Sequence, residues 1–171
     1  IETSAEVEAL AGSVPDAGGV SFVPALTGLG APFWKPDARG SLHGLTRGTT
    51  RAHIARATLE GIAWQVYCAF QSMSTDAAQK IERLRVDGGA AANNLLMQMQ
   101  ASQLQCRIER AEMVESTAFG AALLAGLGAG LFTSLEQVAA LNRVRTTFTP
   151  GDFDEAGRQL WMSALERENG R

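Results

Sequence analysis

At positions 85–94 the chain runs Arg85-Val86-Asp87-Gly88-Gly89-Ala90-Ala91-Ala92-Asn93-Asn94. The alternation of charged and apolar residues over 83–86 predicts a short strand. Beyond the stretch, apolar residues recur at a spacing that suits a helix, at Leu95, Leu96, Met99 and Leu104. The pattern therefore places a pair of adjacent glycines at a strand-to-helix turn.

The glycine pair supports two interpretations. Glycine adopts positive φ and lets a ligand approach the backbone. The start of the next helix offers unpaired N–H groups and the positive end of a dipole, which suit phosphate, and Asn93 would then contact a nucleotide. Alternatively, the pair is only a tight turn and Asp87 or Asn93 caps the helix. Neither G-x-G-x-x-G nor G-x-x-x-x-G-K-[ST] fits, so the local pattern slightly favours the plain turn.

Length and composition indicate one globular domain. The 171 residues are 46% hydrophobic and 19% charged, enough for a single core. The net charge of −3 and the lack of a Lys/Arg block disfavour nucleic acid or an anionic membrane as a partner. Cys68 and Cys106 make no metal-ligand pattern, which favours buried thiols in a reducing compartment.

No segment predicts membrane insertion or export. The longest apolar run, over 118–132, is interrupted by glycines and falls short of a membrane span. The chain opens on Ile1-Glu2-Thr3, without Met or a basic leader. We therefore expect a cytoplasmic protein and a chain that starts inside a longer one.

The sequence allows more than one role for several other segments. The Gly- and Pro-rich loop 27–40 carries Phe33 and Trp34, which either pin the loop to the body or contact a ligand. A long helix is predicted to begin at Thr49 or Thr50 and to carry an apolar stripe. Glu60 and Gln65 lie outside the stripe and face either solvent or a site. The stripe consists of Leu59, Ile62, Val66, Phe70 and Met73. The two histidines, His43 and His53, lie apart from any carboxylate cluster and are assigned no role.

The order of predicted elements indicates an α/β fold. Two strands joined by the helix over 94–105 predict a right-handed βαβ unit with parallel strands. An Ala- and Gly-rich helix over 117–129 is expected to lie close to a neighbouring element. Ser134 begins a capping box, and its helix is expected to direct inward Leu135, Val138 and Leu141. A strand over 144–148 follows, and Asp154 caps a last helix whose packed side carries Leu160, Trp161, Ala164 and Leu165.

Several motifs together resemble the FGGY carbohydrate kinases. Residues 40–45, a spacer of seven residues, His53-Ile54 and residues 57–60 fit that family's second signature. Segments spread along the chain resemble the members that phosphorylate glycerol rather than those that act on pentuloses or gluconate. These segments are Phe22–Trp34, Ala38–Gly40, Gly44–Gly48, Arg85–Asn94 and Ser116–Ala122.

The resemblance implies half of an actin-like, ribonuclease-H-like ATPase, with residues 1–171 as the C-terminal part of its nucleotide-binding domain and without that domain's first strands. It implies ATP-dependent phosphorylation of glycerol to sn-glycerol 3-phosphate, with Mg²⁺ on the ATP or ADP, and a homo-oligomer. Carried over by position, Gly89 and Asn93 match the family's nucleotide contacts. No catalytic residue or metal ligand is assigned, since the family supplies its catalytic aspartate and glycerol contacts upstream, so the chain alone is expected to be inactive.

Two alternatives remain open on the sequence. The chain resembles other FGGY sugar kinases as well, because the acceptor pocket does not lie within it. It is also compatible with a non-catalytic α/β module that binds a partner through the 27–40 loop and Trp34, since no complete catalytic set is present.

Overall fold

The computed structural model describes residues 1–113 and 115–169. The helices and strands in chain order are α1 (Glu6–Gly12), β1 (Ser21–Val23), β2 (Ser41–His43), α2 (Arg51–Asp76), β3 (Arg83–Val86), α3 (Asn94–Leu104), β4 (Arg107–Ala111), α4 (Ser116–Gly128), α5 (Leu135–Ala140), β5 (Val144–Phe148) and α6 (Glu155–Asn169). The predicted alternation of helices and strands is confirmed, and the fold is α/β.

The central sheet has the order β3-β4-β5. β3 and β4 are parallel, with Leu84 opposite Ile108, and α3 connects them. The predicted βαβ unit is therefore confirmed. β5 returns antiparallel to β4, with Phe148 opposite Ile108. A separate hairpin pairs β1 with β2 in antiparallel register.

The helix α2 separates two hydrophobic clusters. Leu59 and Phe70 pack with α3 and Ile108 of the central sheet, whereas Trp64 packs with Val23 and α6. Gly61 is required between them, because a Cβ there would overlap the carbonyl oxygen of Phe22 in β1. The hydrophobic effect of both clusters thus fixes α2 between the hairpin and the central sheet.

The predicted start of α2 is confirmed at Thr50, whose backbone N–H donates to Nδ1 of His53 at 3.1 Å. Leu59 and Phe70 of the stripe are buried, but Met73 is exposed. Although α2 has 26 residues, no helix within the two described ranges is both long and apolar enough to cross a membrane.

The last helix and the 27–40 loop pack on the second cluster. Asp154 Oδ1 accepts the Gly157 N–H at 2.8 Å, which confirms the predicted cap. Trp161, Ala164 and Leu165 are buried as expected. The expectation for Leu160 is wrong, since that side chain is 45% exposed. In the loop, Phe33 packs on the cluster, whereas Trp34 is 75% exposed and does not pin the loop.

The expectations for α4 and α5 are confirmed in part. α4 lies against a neighbouring element, α5, and Ser134 caps α5 by accepting the Gln137 N–H. The inward orientation expected in α5 is wrong for Leu135 and for Leu141, the residue just after the helix, which are both exposed, whereas Val138 is half-buried. Among the described residues of α4 only Gly126 is buried, against the ring of Phe132. The reason is that α4 and α5 pack mainly on each other and not on the two clusters. Their apolar surface is therefore left open, with Leu131 77% exposed.

His43 has a carboxylate neighbour that the sequence did not predict. Its Nε2 lies 3.4 Å from Oε1 of Glu168 on α6 and 2.9 Å from Oγ of Ser41. Glu168 is buried. The pair joins β2 to α6, and its two members meet only because both elements pack on the hairpin side of α2.

We expect both thiols to react slowly in the folded protein. Cys68 and Cys106 are free and buried. Burial raises the pKa of the Cys68 thiol to about 11 from an ordinary 9.0, and burial raises the pKa of Cys106 in the same direction. The thiolate is the reactive form, so iodoacetamide should label both residues more slowly in the native protein than in urea. Equal rates in the two states would contradict the burial.

The same shift predicts a pH dependence of stability. Between pH 9 and about 11 the unfolded chain loses the Cys68 proton while the folded chain keeps it. The free energy of unfolding should therefore fall as the pH rises through this window. Urea denaturation at several pH values checks this, and a Cys68→Ala variant should show a shallower decline.

Candidate functional site

The predicted turn lies at the C-terminal end of β3, and we call residues 88–94 the corner. Gly88 has φ 81° and ψ 172°, a conformation essentially restricted to glycine. Gly89 begins a 3₁₀ turn that ends at Ala92, and Asn93 precedes α3. The strand-to-helix turn is thus confirmed, with one additional 3₁₀ turn between strand and helix.

Gly89 leaves its backbone accessible. A Cβ placed on either glycine of the pair would meet no atom within 4 Å. The Gly89 N–H donates to no other group in the described ranges. The corner therefore presents an available main-chain donor beside open space, which is the geometry that a close ligand contact needs.

Asn93 caps α3. Its Oδ1 accepts the Leu96 N–H at 2.8 Å, so of the two capping residues considered, Asn93 is the correct one and Asp87 is not. This bond fixes the orientation of the amide and leaves Nδ2, a two-proton donor, for a second partner. Capping and ligand contact, the two roles left open by the sequence, are therefore compatible in one side chain.

The expectation that the start of α3 is an open seat for phosphate is wrong. The Asn94 N–H donates to Oε2 of Glu8 at 3.1 Å, and the Leu96 N–H is taken by Asn93. The Glu8 carboxylate also places a negative charge at the positive end of the helix dipole, where it would repel phosphate. A ligand at the corner would therefore approach the Gly88–Gly89 peptide and not the axis of α3.

The sequence did not predict that Arg110 lies at the corner. Arg110 on β4 donates from Nη1 to the carbonyl oxygens of Ala91 and Ala92 at 3.0 and 3.2 Å. The same nitrogen lies 3.0 Å from Oδ1 of Asn94. Arg110 follows the fully buried Ile108 by two positions and so shares its face of the strand. That spacing does not indicate which groups the guanidinium meets.

Glu60, the other open candidate, lies away from the corner. It lines a cleft of about 240 Å³ together with Asp16, Trp64, Asp154 and Trp161. Burial raises the pKa of its carboxyl, and the Arg56 guanidinium at 2.7 Å opposes that shift. Glu60 is thus half-buried and not a solvated surface residue, and Gln65 is also half-buried.

No metal centre is found in the part of the chain that the structure describes. Within residues 1–113 and 115–169, no three His, Cys, Asp or Glu side chains are grouped so that they could hold a metal ion. The corner itself offers the Gly89 N–H and the Nδ2 of Asn93, which are hydrogen-bond donors for a polar ligand.

Residues 1–129 match the family model of the C-terminal domain of the FGGY family of carbohydrate kinases. Curated relatives include the glycerol kinases of Polaromonas sp. (strain JS666), 56% identical over 174 residues, and of Ralstonia nicotianae, 55% identical over 168 residues. The matches cover 98% and 96% of this chain but 35% and 34% of those proteins. The chain therefore spans about a third of the length of these relatives.

Solved structures agree with this family. The chain superposes on the crystal structure of Plasmodium falciparum glycerol kinase with ADP with a TM-score of 0.84 and 37% identity, covering 98% of this chain and 34% of that one. Gluconate kinase from Lactobacillus acidophilus follows with a TM-score of 0.79 and 27% identity, covering 99% and 35%. The α/β architecture is thus that of the C-terminal half of an actin-like ATPase, as the resemblance implied.

Proposed function

Because the chain belongs to the FGGY family of carbohydrate kinases, we propose that the complete protein transfers the terminal phosphoryl group of ATP to glycerol and forms sn-glycerol 3-phosphate. The carrying observation is the 56% identity to glycerol kinase over 98% of the chain. Residues 1–171 are, in this proposal, the C-terminal part of the nucleotide-binding domain.

The chain's own contribution is to bind and orient the nucleotide. We propose that the Gly89 N–H and Asn93 Nδ2 donate to ATP or ADP at the corner. The open space beside Gly89 and the occupied Oδ1 of Asn93 support this assignment. Phosphoryl transfer depends on positioning and on charge stabilisation. Glycerol binding and the catalytic base are assigned to the remainder of the protein, so the chain alone is inactive.

Three further features belong to the proposal. Mg²⁺ accompanies the nucleotide and neutralises phosphate charge, with no ligand assigned among the described side chains. The complete protein acts in the cytoplasm. It forms a homo-oligomer, as the family implies.

The open surface of α4 and α5 supports a larger protein. Leu124, Leu131 and Leu135 are 63%, 77% and 63% exposed. Exposed apolar patches of this kind are typical of surfaces that another part covers. We propose that residues of the complete protein outside this chain pack on them.

A substitution of Asn93 tests the nucleotide contact. Asn93→Asp keeps an acceptor for the Leu96 N–H, and aspartate caps helices as well as asparagine does. It removes the Nδ2 donor and adds a negative charge beside the proposed position of the anionic nucleotide. In the complete protein we expect the KM for ATP to rise at least tenfold, because the loss of roughly one hydrogen bond to a charged group has an effect of that size. The KM for glycerol should be unchanged.

The matched control is Gln79→Glu, which adds the same charge at an exposed turn after α2. It should leave both KM values unchanged. Steady-state assay of ADP release supplies the measurement, and an unaltered KM for ATP in Asn93→Asp would remove Asn93 from the nucleotide site.

The same assay decides the acceptor. Glycerol should support turnover, whereas pentuloses and gluconate should not. Turnover with a pentulose or gluconate alone would assign the protein to another branch of the family, and no ATP consumption with any acceptor would favour the non-catalytic module.

A further inference from the structure

We propose that Arg110 is a positioning residue for the nucleotide, holding the corner in the geometry that presents Gly89 and Asn93. The inference rests on the proposed function, because it takes the corner as the nucleotide contact. It adds a residue that contacts no nucleotide itself and acts through the peptide groups of the turn.

The first argument is the set of groups that Arg110 satisfies. The carbonyl oxygens of Ala91 and Ala92 lie at the end of the 3₁₀ turn, where the regular helix does not pair them. Nη1 of Arg110 reaches both, at 3.0 and 3.2 Å, and also Oδ1 of Asn94 at 3.0 Å. Charge-assisted hydrogen bonds of this kind are about twice as strong as neutral ones. One guanidinium thus fixes the residues on both sides of Asn93.

The second argument is that the guanidinium is itself anchored. Nη2 of Arg110 donates to Oγ1 of Thr146 on β5 at 3.2 Å. Cζ of Arg110 lies 5.3 Å from the centroid of the Phe148 ring. The side chain therefore connects the corner to the central sheet. Because the anchored guanidinium presents its donors in a fixed, planar geometry, it fixes the orientation of the peptide groups that it contacts.

The third argument is charge. Among the residues that the structure describes, no carboxylate forms an ion pair with Arg110, whereas Arg85 on the neighbouring strand pairs with Glu109 at 3.3 Å. The charge of Arg110 is thus directed to carbonyl oxygens and remains uncompensated by an acid. It also lies under the turn that is proposed to receive an anionic nucleotide, where it favours binding.

The test uses Arg110→Lys in the complete protein. One ammonium group does not reproduce the planar fork, so the turn should lose order while the positive charge is kept. We expect the KM for ATP to rise about tenfold, the loss of roughly one charge-assisted hydrogen bond, and the KM for glycerol to stay within about twofold. Arg107→Lys is the matched control, because Arg107 lies on the same strand and is exposed. It should change neither constant.

Hydrogen exchange without nucleotide supplies a readout that does not depend on the proposed function. The amides of residues 91–96 should exchange about tenfold faster in Arg110→Lys, with those of β3 unchanged. If Asn93→Asp raises the KM for ATP while Arg110→Lys alters neither exchange nor KM, the inference is overturned and the proposed function stands. If exchange rises while the KM for ATP is unchanged, Arg110 orders the turn only and the inference is again overturned.

Should Arg110→Lys fail to fold, Thr146→Val decides the question. It removes only the anchoring hydroxyl from a half-buried position and nearly preserves volume. A rise of about two- to threefold in the KM for ATP, one neutral hydrogen bond at the low end of its range, supports the inference. An unchanged KM for ATP contradicts it.

Discussion

Replacing Gly89 by valine in the complete protein is expected to lower the kcat/KM for ATP by about a hundredfold, the cost of displacing a bound reactant by roughly one ångström. The branched side chain would occupy the open space beside the Gly89 N–H, through which the nucleotide is proposed to approach. The KM for glycerol should change little, because glycerol is not assigned to this chain.

The fold should tolerate the valine. A Cβ on Gly89 meets no atom within 4 Å, and its backbone does not have the positive φ that disfavours other residues. The midpoint of thermal unfolding of the complete protein should therefore shift by no more than about 2 °C, since 1 kcal/mol shifts it by about 2–4 °C in a chain of 150–250 residues and by less in a longer one. A lower kcat/KM for ATP at nearly constant stability is the expected combination.

Gly88→Ala is the control with the opposite expectation. At φ 81° and ψ 172° the added methyl strains the backbone by about 1–3 kcal/mol. Stability should fall even though a Cβ has space. Steady-state kinetics with varied ATP and thermal unfolding of both variants make the comparison. A Gly89→Val protein with normal ATP dependence would show that the nucleotide lies elsewhere.

Replacing Trp161 by alanine should lower the free energy of unfolding by about 3–5 kcal/mol, the usual cost of removing a large aromatic from a core. Trp161 is 2% exposed, and its Nε1 donates to the carbonyl oxygen of Phe22 at 2.8 Å. The substitution leaves a cavity in the cluster that contains Trp64 and removes the hydrogen bond to the Phe22 carbonyl in β1. The cavity and the lost hydrogen bond both weaken the packing of α6 on the hairpin.

Trp34→Ala provides the matched control, since the same side chain is removed from a position that is 75% exposed. Its effect should stay within about 0.5 kcal/mol. Urea denaturation of the complete protein, followed by intrinsic fluorescence in the transition that includes this domain, measures both. Equal midpoints for the two variants would contradict the assignment of Trp161 to the core.

Much of the unit around the corner could be predicted from the sequence because its determinants are local. Alternation over 83–86 predicts a strand, and the helical spacing after Asn94 predicts α3. Gly88 takes a backbone conformation that other residues avoid, and Asn93 caps the next helix with its own side chain. These interactions join residues at most a few positions apart.

The contacts that define the candidate site were decided by tertiary structure. Glu8 accepts the Asn94 N–H at the start of α3, and Arg110 donates to the Ala91 carbonyl oxygen at the end of the 3₁₀ turn. Neither partner is near the corner in sequence, and no periodic pattern encodes which side chains meet after packing. The misassigned leucines at 135 and 141 have the same origin, because apolar spacing predicts a face but not what covers it.

The sequence by itself determined the element types, the parallel βαβ unit, a capped helix start with Asp87 and Asn93 as the two candidates, and the family resemblance, since backbone preferences and short-range hydrogen bonds depend on neighbouring residues. Only the tertiary structure decided that the helix start is closed by a carboxylate, that the glycine peptide is open, and that an arginine from the next strand supports the turn. Those outcomes depend on how α1, α3 and the central sheet pack together, and packing brings together side chains whose positions in the chain carry no record of the contact.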